Sequence, residues 1–266
     1  MADKGARGTA LVTGGARRLG RAMVLELARL GHDVAVHYHG SDDEAQQTVA
    51  DARALGVNAQ AFRADLLDLD QTEGLIASVN AAMGEVGVLV NNASIFEYDN
   101  IHTATRTSWD RHLGSNLRAP FILTQAFAAQ MTPAPTPDGA EPVADGLIVN
   151  VIDQRVLKPT PEFMTYSLAK AGLWALTRTS AQALAPKVRV NAIGPGPTMR
   201  GARQSEAHFA HQRAGTILQR GSDPDDIVGA LRYLLTAKAV TGQLLCVDGG
   251  QHLGWLTPDV VGDPAG

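Results

Sequence analysis

Short apolar runs alternate with helix-length segments along almost the whole 266-residue chain, and few architectures accommodate such a pattern. Thr9 to Val12, Asp33 to Tyr38, Asn58 to Ala64, Gly87 to Val90, Gly146 to Ile152, Val188 to Ile193 and Gln243 to Val247 read as strands. The stretches between them are long enough to hold a helix, which is what a crossover to a parallel neighbour requires. The alternation therefore predicts an α/β fold, a parallel sheet with right-handed crossovers. Local signals punctuate the helices. One starts near Arg18, carries Leu19, Met23, Val24, Leu27 and Leu30 on one side, and stops at Gly31. Ser41 followed by Asp42, Asp43 and Glu44 reads as an N-cap with an acidic first turn. Ser222 to Asp226, with Pro224 placed early, reads as another helix start.

Three stretches interrupt the rhythm. Thr107 to Met131 is expected as one long helix, with Pro120 as its kink or boundary. Residues 132–145 hold Pro133, Pro135, Pro137 and Pro142 and read as a loop insertion within a single domain, because the alternation resumes at Gly146. Residues 198–221 are polar and poorly periodic, the composition of a loop or substrate lid, and 252–266 reads as a tail. A hydrophobic content of 45% against 19% charged residues supports a sizeable core. The net charge of −4, with no basic block, gives nucleic acid or a membrane surface no electrostatic hold. Cys246 is the sole cysteine, and neither a signal-peptide core nor a membrane-length apolar run is visible. The expectation is a soluble cytoplasmic protein.

Two motifs suggest chemistry. Thr13 to Gly20 lies between the first strand and first helix, where glycines let the backbone approach a pyrophosphate and the helix N-terminus favours its charge. The second strand ends Tyr38-His39-Gly40-Ser41, with no acid before Asp42. An acid there would hold a ribose 2′-OH; a hydroxyl, an imidazole and the nearby Arg18 suit a 2′-phosphate, so NADP(H) is the expected cofactor. His37 and His39 share a strand face, but no third ligand is evident and no metal is expected. Tyr166 and Lys170 lie one helical turn apart on one face. An ammonium beside a phenol lowers its pKa and would make Tyr166 a proton donor that recharges near neutral pH.

The chain resembles the short-chain dehydrogenase/reductase family over essentially its whole length. The resemblance rests on the Thr-Gly-rich first turn, Asp65, Asn91-Asn92-Ala93, Asn116, Tyr166-x-x-x-Lys170 and Pro195-Gly196-Pro197-Thr198. It implies a Rossmann-like, doubly wound sheet of seven strands, a homotetramer or homodimer, and hydride transfer from nicotinamide. It also implies catalytic roles for Asn116, Tyr166 and Lys170. The cofactor residues it implies are Gly14, Arg18, Leu19, Gly20, His39, Ser41, Asp65, Leu66, Asn92, Ala93 and Ser94, then Tyr166, Lys170, Pro195, Gly196 and Thr198.

Two departures narrow the resemblance. Arg18 stands where the glycine turn usually has its middle glycine, and Asp153 stands thirteen residues before Tyr166, where the family carries a catalytic Ser. Both occur in the pteridine reductase branch, which includes bacterial dihydromonapterin and dihydrofolate reductases. His37 to Ser41 looks like the same branch, with Gly40 in place of its usual Arg. Asn92-Ala93-Ser94-Ile95-Phe96 is similar too, and implies Phe96 as a platform for the pterin ring. A Ser hydroxyl donates to a ketone oxygen. A carboxyl instead accepts the N–H groups of a pterin or, protonated, relays a proton toward Tyr166. The expected activity is NADPH-dependent reduction of a pterin or folate C=N, with Ser94, Phe96, Asp153 and Tyr166 at the substrate. The alternatives are an NADPH-dependent ketone reductase and a non-catalytic NADP-binding sensor. His208, His211 and Arg213 fall in the expected lid, and Trp255 in the tail.

Overall fold

A computed structural model describes residues 8–132, 140–201 and 204–255. Residues 133–139 of the 132–145 insertion and the tail from residue 256 onward lie outside the described residues. Seven parallel strands form one sheet in the order β3-β2-β1-β4-β5-β6-β7. They are β1 (Thr9–Val12), β2 (Asp33–Tyr38), β3 (Ala59–Arg63), β4 (Val86–Asn91), β5 (Gly146–Val151), β6 (Val188–Pro195) and β7 (Leu244–Val247). The crossovers are α1 (Arg18–Arg29), α2 (Asp42–Ala54), α3 (Leu69–Met83), α4 (Arg106–Leu113), α5 (Ala119–Gln130), α6 (Met164–Leu184), α7 (Glu206–Ala214) and α8 (Pro224–Thr236). The seven strand runs read from the sequence are all present, with ends shifted by a residue or two.

Alternate strand residues point to opposite faces, and each face has its own apolar layer. Ala10, Val12, Val34, Val36, Val88 and Val90 pack on Met23, Val24 and Leu27 of α1 and on Ile227, Leu231 and Leu234 of α8. Leu11, Ala35, Leu89 and Ile148 face the other way, onto Leu75, Ile76 and Val79 of α3 and Leu123 and Phe127 of α5. A sheet covered on both faces explains why its strands read as continuous apolar runs rather than alternating ones. The direction of winding reverses between β1 and β4, which opens a crevice at the strands' C-terminal ends.

Two expectations are corrected here. The long helix over 107–131 is interrupted at Gly114–Arg118 by one π-helical turn, and Pro120, expected as a kink or a boundary, is at a boundary, in the first turn of α5. The cause is tertiary. Asn116, inside the wide turn, exchanges two hydrogen bonds with the backbone of Ile95, donating to its carbonyl and accepting from its N–H, both at 2.8 Å. The 198–221 stretch holds a helix, α7, whose N-cap Ser205 accepts from His208 N–H. None of its residues is buried, so it leaves no apolar periodicity in the sequence.

Candidate active site

The crevice is a cleft of about 1450 Å³. Its wall includes Gly14, Arg18, Leu19, Gly20, His39, Ser41, Asp65, Leu66, Asn92, Ala93, Ser94, Phe96, Asp153, Tyr166, Pro195, Gly196 and Thr198. Every residue that the sequence assigned to catalysis, cofactor or pterin lines this one cavity, except Asn116 and Lys170.

The glycine turn is held from three sides. Thr13 Oγ1 accepts from the N–H groups of Asn92 and Ala93, at 2.9 and 3.0 Å. The Asn92 amide donates back to the Thr13 carbonyl at 2.8 Å. A Cβ on Gly20 would stand 2.0 Å from the Gly14 carbonyl oxygen, so only glycine fits where the helix presses on the turn. The N-cap of α1 is Arg17, which makes no side-chain cap, and the first turn carries no acid, so the positive helix end is open to an anion. Arg18 sits in left-handed backbone at φ 55 and spans to the far wall, where its guanidinium donates to the Met199 and Arg200 carbonyls at 3.1 and 3.0 Å. Arg17 also lines the cleft, exposed and 4.0 Å from Glu44 in the first turn of α2; sequence reasoning passed over it although it adjoins Arg18. The Ser41 hydroxyl makes no cap bond to α2.

His37 and His39 do not share a role. The His37 ring is buried; its Nδ1 accepts from Gly14 N–H at 3.0 Å, and Nε2 faces the Ala64 carbonyl at 3.1 Å. One nitrogen must be bare and the other protonated, so the ring is held neutral. Burial pushes its pKa down to about 4. His39 stands outside, 3.3 Å from the Asp65 carboxylate. Among the described residues no cluster of His, Cys, Asp and Glu could hold a metal.

A folded pKa below the ordinary 6.5 means that protons bind the unfolded chain preferentially. The contribution is complete above pH 6.5 and is lost as pH falls toward 4. It amounts to roughly 3 kcal/mol. Denaturant titrations across this window should show wild-type stability falling more steeply than that of His37→Gln; parallel curves would remove His37 from the account.

At the other end, Asp153 follows β5 in extended backbone. Its Oδ1 accepts from Arg155 N–H at 2.9 Å, capping a short 3-10 turn, and its Oδ2 accepts from the Tyr166 hydroxyl at 2.9 Å. Burial raises the Asp153 carboxyl, against the Arg155, Tyr166 and Lys170 contacts that lower it. Burial also raises the Tyr166 phenol well above its ordinary value, and the Asp153 charge adds to that. The sequence expectation that Lys170 lowers the phenol is thereby corrected. Lys170, 2% exposed, donates from Nζ to the Val151 carbonyl at 2.8 Å, and its nitrogen lies 5.7 Å from the Tyr166 ring centroid. Its own pKa is pushed down to about 8 by burial. The charge that touches the phenol is a carboxylate, not an ammonium.

Aromatic rings line the cleft beside this pair. Phe96, 52% exposed, stacks on Phe163 at 4.3 Å and 10° and meets Tyr166 edge-on at 4.7 Å. Phe163 adopts left-handed backbone at φ 56, ψ 50 just ahead of α6, and Arg155 lies over its ring at 5.1 Å. Phe163, Tyr98 and Arg155 also line the cleft and were not singled out from the sequence. The Thr198 hydroxyl is turned inward, onto Ser222 Oγ at 2.5 Å and the Gly196 carbonyl. Of the three lid residues, His208 reaches the cleft, His211 does not, and Arg213 is spent on the Pro197 and Ser222 carbonyls and Asp223. Trp255 is exposed. No described helix is long and apolar enough to cross a membrane.

The sequence matches the short chain dehydrogenase family over residues 8–210. The chain belongs to that family. It is 40% identical to the alternative dihydrofolate reductase 1 from Brucella suis, solved in complex with NADP, with a TM-score of 0.89 over 97% of this chain and 99% of that one. It is 32% identical to the 3-oxoacyl-(acyl-carrier-protein) reductase of Staphylococcus epidermidis over 92% of this chain and 99% of the relative. A blue fluorescent protein from a metagenomic library, solved with NADPH, is 31% identical with a TM-score of 0.80, covering 91% of this chain and 97% of that one. As a short-chain dehydrogenase, this chain is an oxidoreductase whose sevenfold parallel sheet and cleft follow the family's plan.

Proposed function

We propose that this enzyme is an NADPH-dependent reductase of a dihydropterin or dihydrofolate C=N bond. The observation that carries the reading is the 2.9 Å hydrogen bond from Tyr166 to Asp153 at the end of β5. A carboxylate there accepts N–H groups, which a pterin offers through its 2-amino group and ring nitrogens, and a ketone lacks. The alternative dihydrofolate reductase from Brucella suis, at 40% identity, supports the same substrate class. A second reading, reduction of a ketone such as a 3-oxoacyl thioester, is favoured by the Staphylococcus epidermidis relative.

The residues present fit a phosphorylated dinucleotide. The uncapped, acid-free start of α1 and the glycine turn suit its pyrophosphate. Ser41, His39 and Arg17 suit a 2′-phosphate. NADPH, when bound, supplies the hydride. Tyr166 gives its proton to the ring nitrogen, and Asp153 orients the pterin and carries a replacement proton to the phenol. The buried Lys170 keeps a positive charge behind the pair. Asn116 braces the 93–96 segment through Ile95. Phe96 offers a face to a flat ring, an offset stack adding about 0.5–1.5 kcal/mol beyond area burial.

Oxidation of NADPH in the presence of dihydrobiopterin, dihydromonapterin or dihydrofolate, compared with a panel of ketones, tests this. Turnover with at least one pterin substrate is expected. Turnover with ketones and with no pterin would sink the proposal in favour of the second reading.

A further inference from the structure

Behind the rings of the cleft lies a chain of buried polar groups that the chemistry above does not use. Asp99, His112 and Thr165 are 2%, 0% and 1% exposed. They come from three separate places: the segment after β4, helix α4, and the first turn of α6. The direction of every hydrogen bond among them can be deduced. The Glu97 amide can only donate, and it reaches His112 Nε2 at 3.1 Å, so that nitrogen is bare. Nδ1 of the neutral ring therefore carries the hydrogen and donates to Thr165 Oγ1 at 2.7 Å. The Thr165 hydroxyl then donates to the Asp99 carboxylate, which also accepts from Thr165 N–H at 3.1 Å. Burial opposes charge on Asp99, but the Thr165 bonds, with one from the Ser108 side chain, outweigh it and hold the carboxyl below its ordinary range. Glu97 and Ser108 complete the network from outside, so its buried members are partnered, as a buried polar network requires.

The network's place in the chain gives it a consequence. Phe96 immediately precedes the bonded Glu97, and Tyr166 immediately follows Thr165. These are the two rings that meet at 4.7 Å and 73°. Met164 N–H also donates to the Asp99 carbonyl at 3.3 Å, tying the same two segments a second time. On the rim, Arg111 of α4 holds the Glu97 carboxylate with two bonds, at 2.8 and 3.2 Å. Beside the ring contacts of Phe96 and Tyr98 with Phe163, the buried polar tie between the segment carrying Phe96 and the helix carrying Tyr166 runs through Asp99, Thr165 and His112. The glycine turn and the 37–41 stretch share no residue with the network.

We propose that Asp99, Thr165 and His112 are positioning residues that fix the slot between Phe96 and Tyr166, and so set affinity for a flat-ringed substrate without contacting it. The proposal rests on the pterin reading only for the identity of that substrate. Removing the Thr165 hydroxyl takes one hydrogen bond from the Asp99 carboxylate and one from the His112 ring in a buried site, which weakens the tie between the Phe96 segment and the Tyr166 helix.

Thr165→Val, Thr165→Ser and wild type are compared by steady-state kinetics with the best substrate of the wild type and by NADPH fluorescence titration. Thr165→Val is expected to raise KM for the substrate about tenfold or more. It should leave the NADPH dissociation constant within about twofold, since a shift that size is under 0.5 kcal/mol. Thr165→Ser should recover most of the loss. An unchanged KM, or an NADPH constant that moves in step with KM, overturns the proposal. Should Thr165→Val fail to fold, nitrogen-15 NMR of wild-type His112 decides instead. A bare Nε2 and protonated Nδ1, insensitive to a pterin-site ligand, are expected in the positioning network; a protonated Nε2 contradicts it. If the wild type reduces only ketones, the pterin reading fails, while the same KM comparison with the ketone still tests the positioning role.

Discussion

Asp153→Ser is expected to lower kcat/KM for the dihydropterin by about 10²–10³-fold, within the range set by losing a positioned proton-transfer partner. The loss has two sources. A hydroxyl cannot present two acceptor oxygens to the pterin N–H groups, and it cannot carry the replacement proton as a carboxyl does. The variant should also bring down the Tyr166 pKa, because the Asp153 charge is the largest contributor after burial to its elevation. A lower phenol pKa beside a hydroxyl donor suits a ketone oxygen, so ketone reduction should rise while pterin reduction falls. Measuring kcat/KM for one substrate of each class in both enzymes checks this. Equal effects on both classes would mean that Asp153 serves only to hold the Arg155 turn, through its bond to Arg155 N–H.

Tyr166→Phe should reduce kcat by about 10²–10⁴-fold, as expected for removing a general acid. NADPH binding should persist, because the anion-facing start of α1 is untouched. The change also strips Asp153 of one of two hydrogen bonds that favour its ionised form, so its carboxyl should move further upward. Leaving a buried acceptor unpaired costs about 1–3 kcal/mol. Single-turnover oxidation of NADPH, with a denaturant titration alongside, separates lost chemistry from lost stability. A Phe variant that turns over at the wild-type rate would remove Tyr166 from the role of proton donor.

Much of this arrangement was legible in the sequence because its causes are local. Strands buried on both faces are unbroken apolar runs, and Gly31 and Pro224 mark helix boundaries by backbone geometry alone. Asp153 could be paired with Tyr166 through the family resemblance, which puts a catalytic side chain thirteen residues before the tyrosine; Asp153 lies just past β5 and Tyr166 in the first turn of α6. What escaped depends on distant partners. The π turn at Gly114–Arg118 coincides with Asn116 binding Ile95, which nothing local signals, whereas Pro120 marks the start of α5. Helix α7 buries nothing, so only its Ser205 cap marks it. Lys170 was read as the neighbour that tunes the phenol, since spacing shows proximity along a helix but not which carbonyl the ammonium reaches. The network of Asp99, His112 and Thr165 joins residues 53 and 66 positions from Thr165, and nothing local announces it.

The most direct measurement is a competition. NADPH, a dihydropterin and a 3-oxoacyl thioester are supplied together to the wild-type enzyme, and both products are quantified, which reads the ratio of the two kcat/KM values. The account predicts a preference for the dihydropterin of about 10²-fold or more, since a site built to bond substrate N–H groups discriminates strongly against a ligand lacking them. A preference for the thioester would contradict it, and would make the Asp153–Tyr166 hydrogen bond a variant of carbonyl reduction.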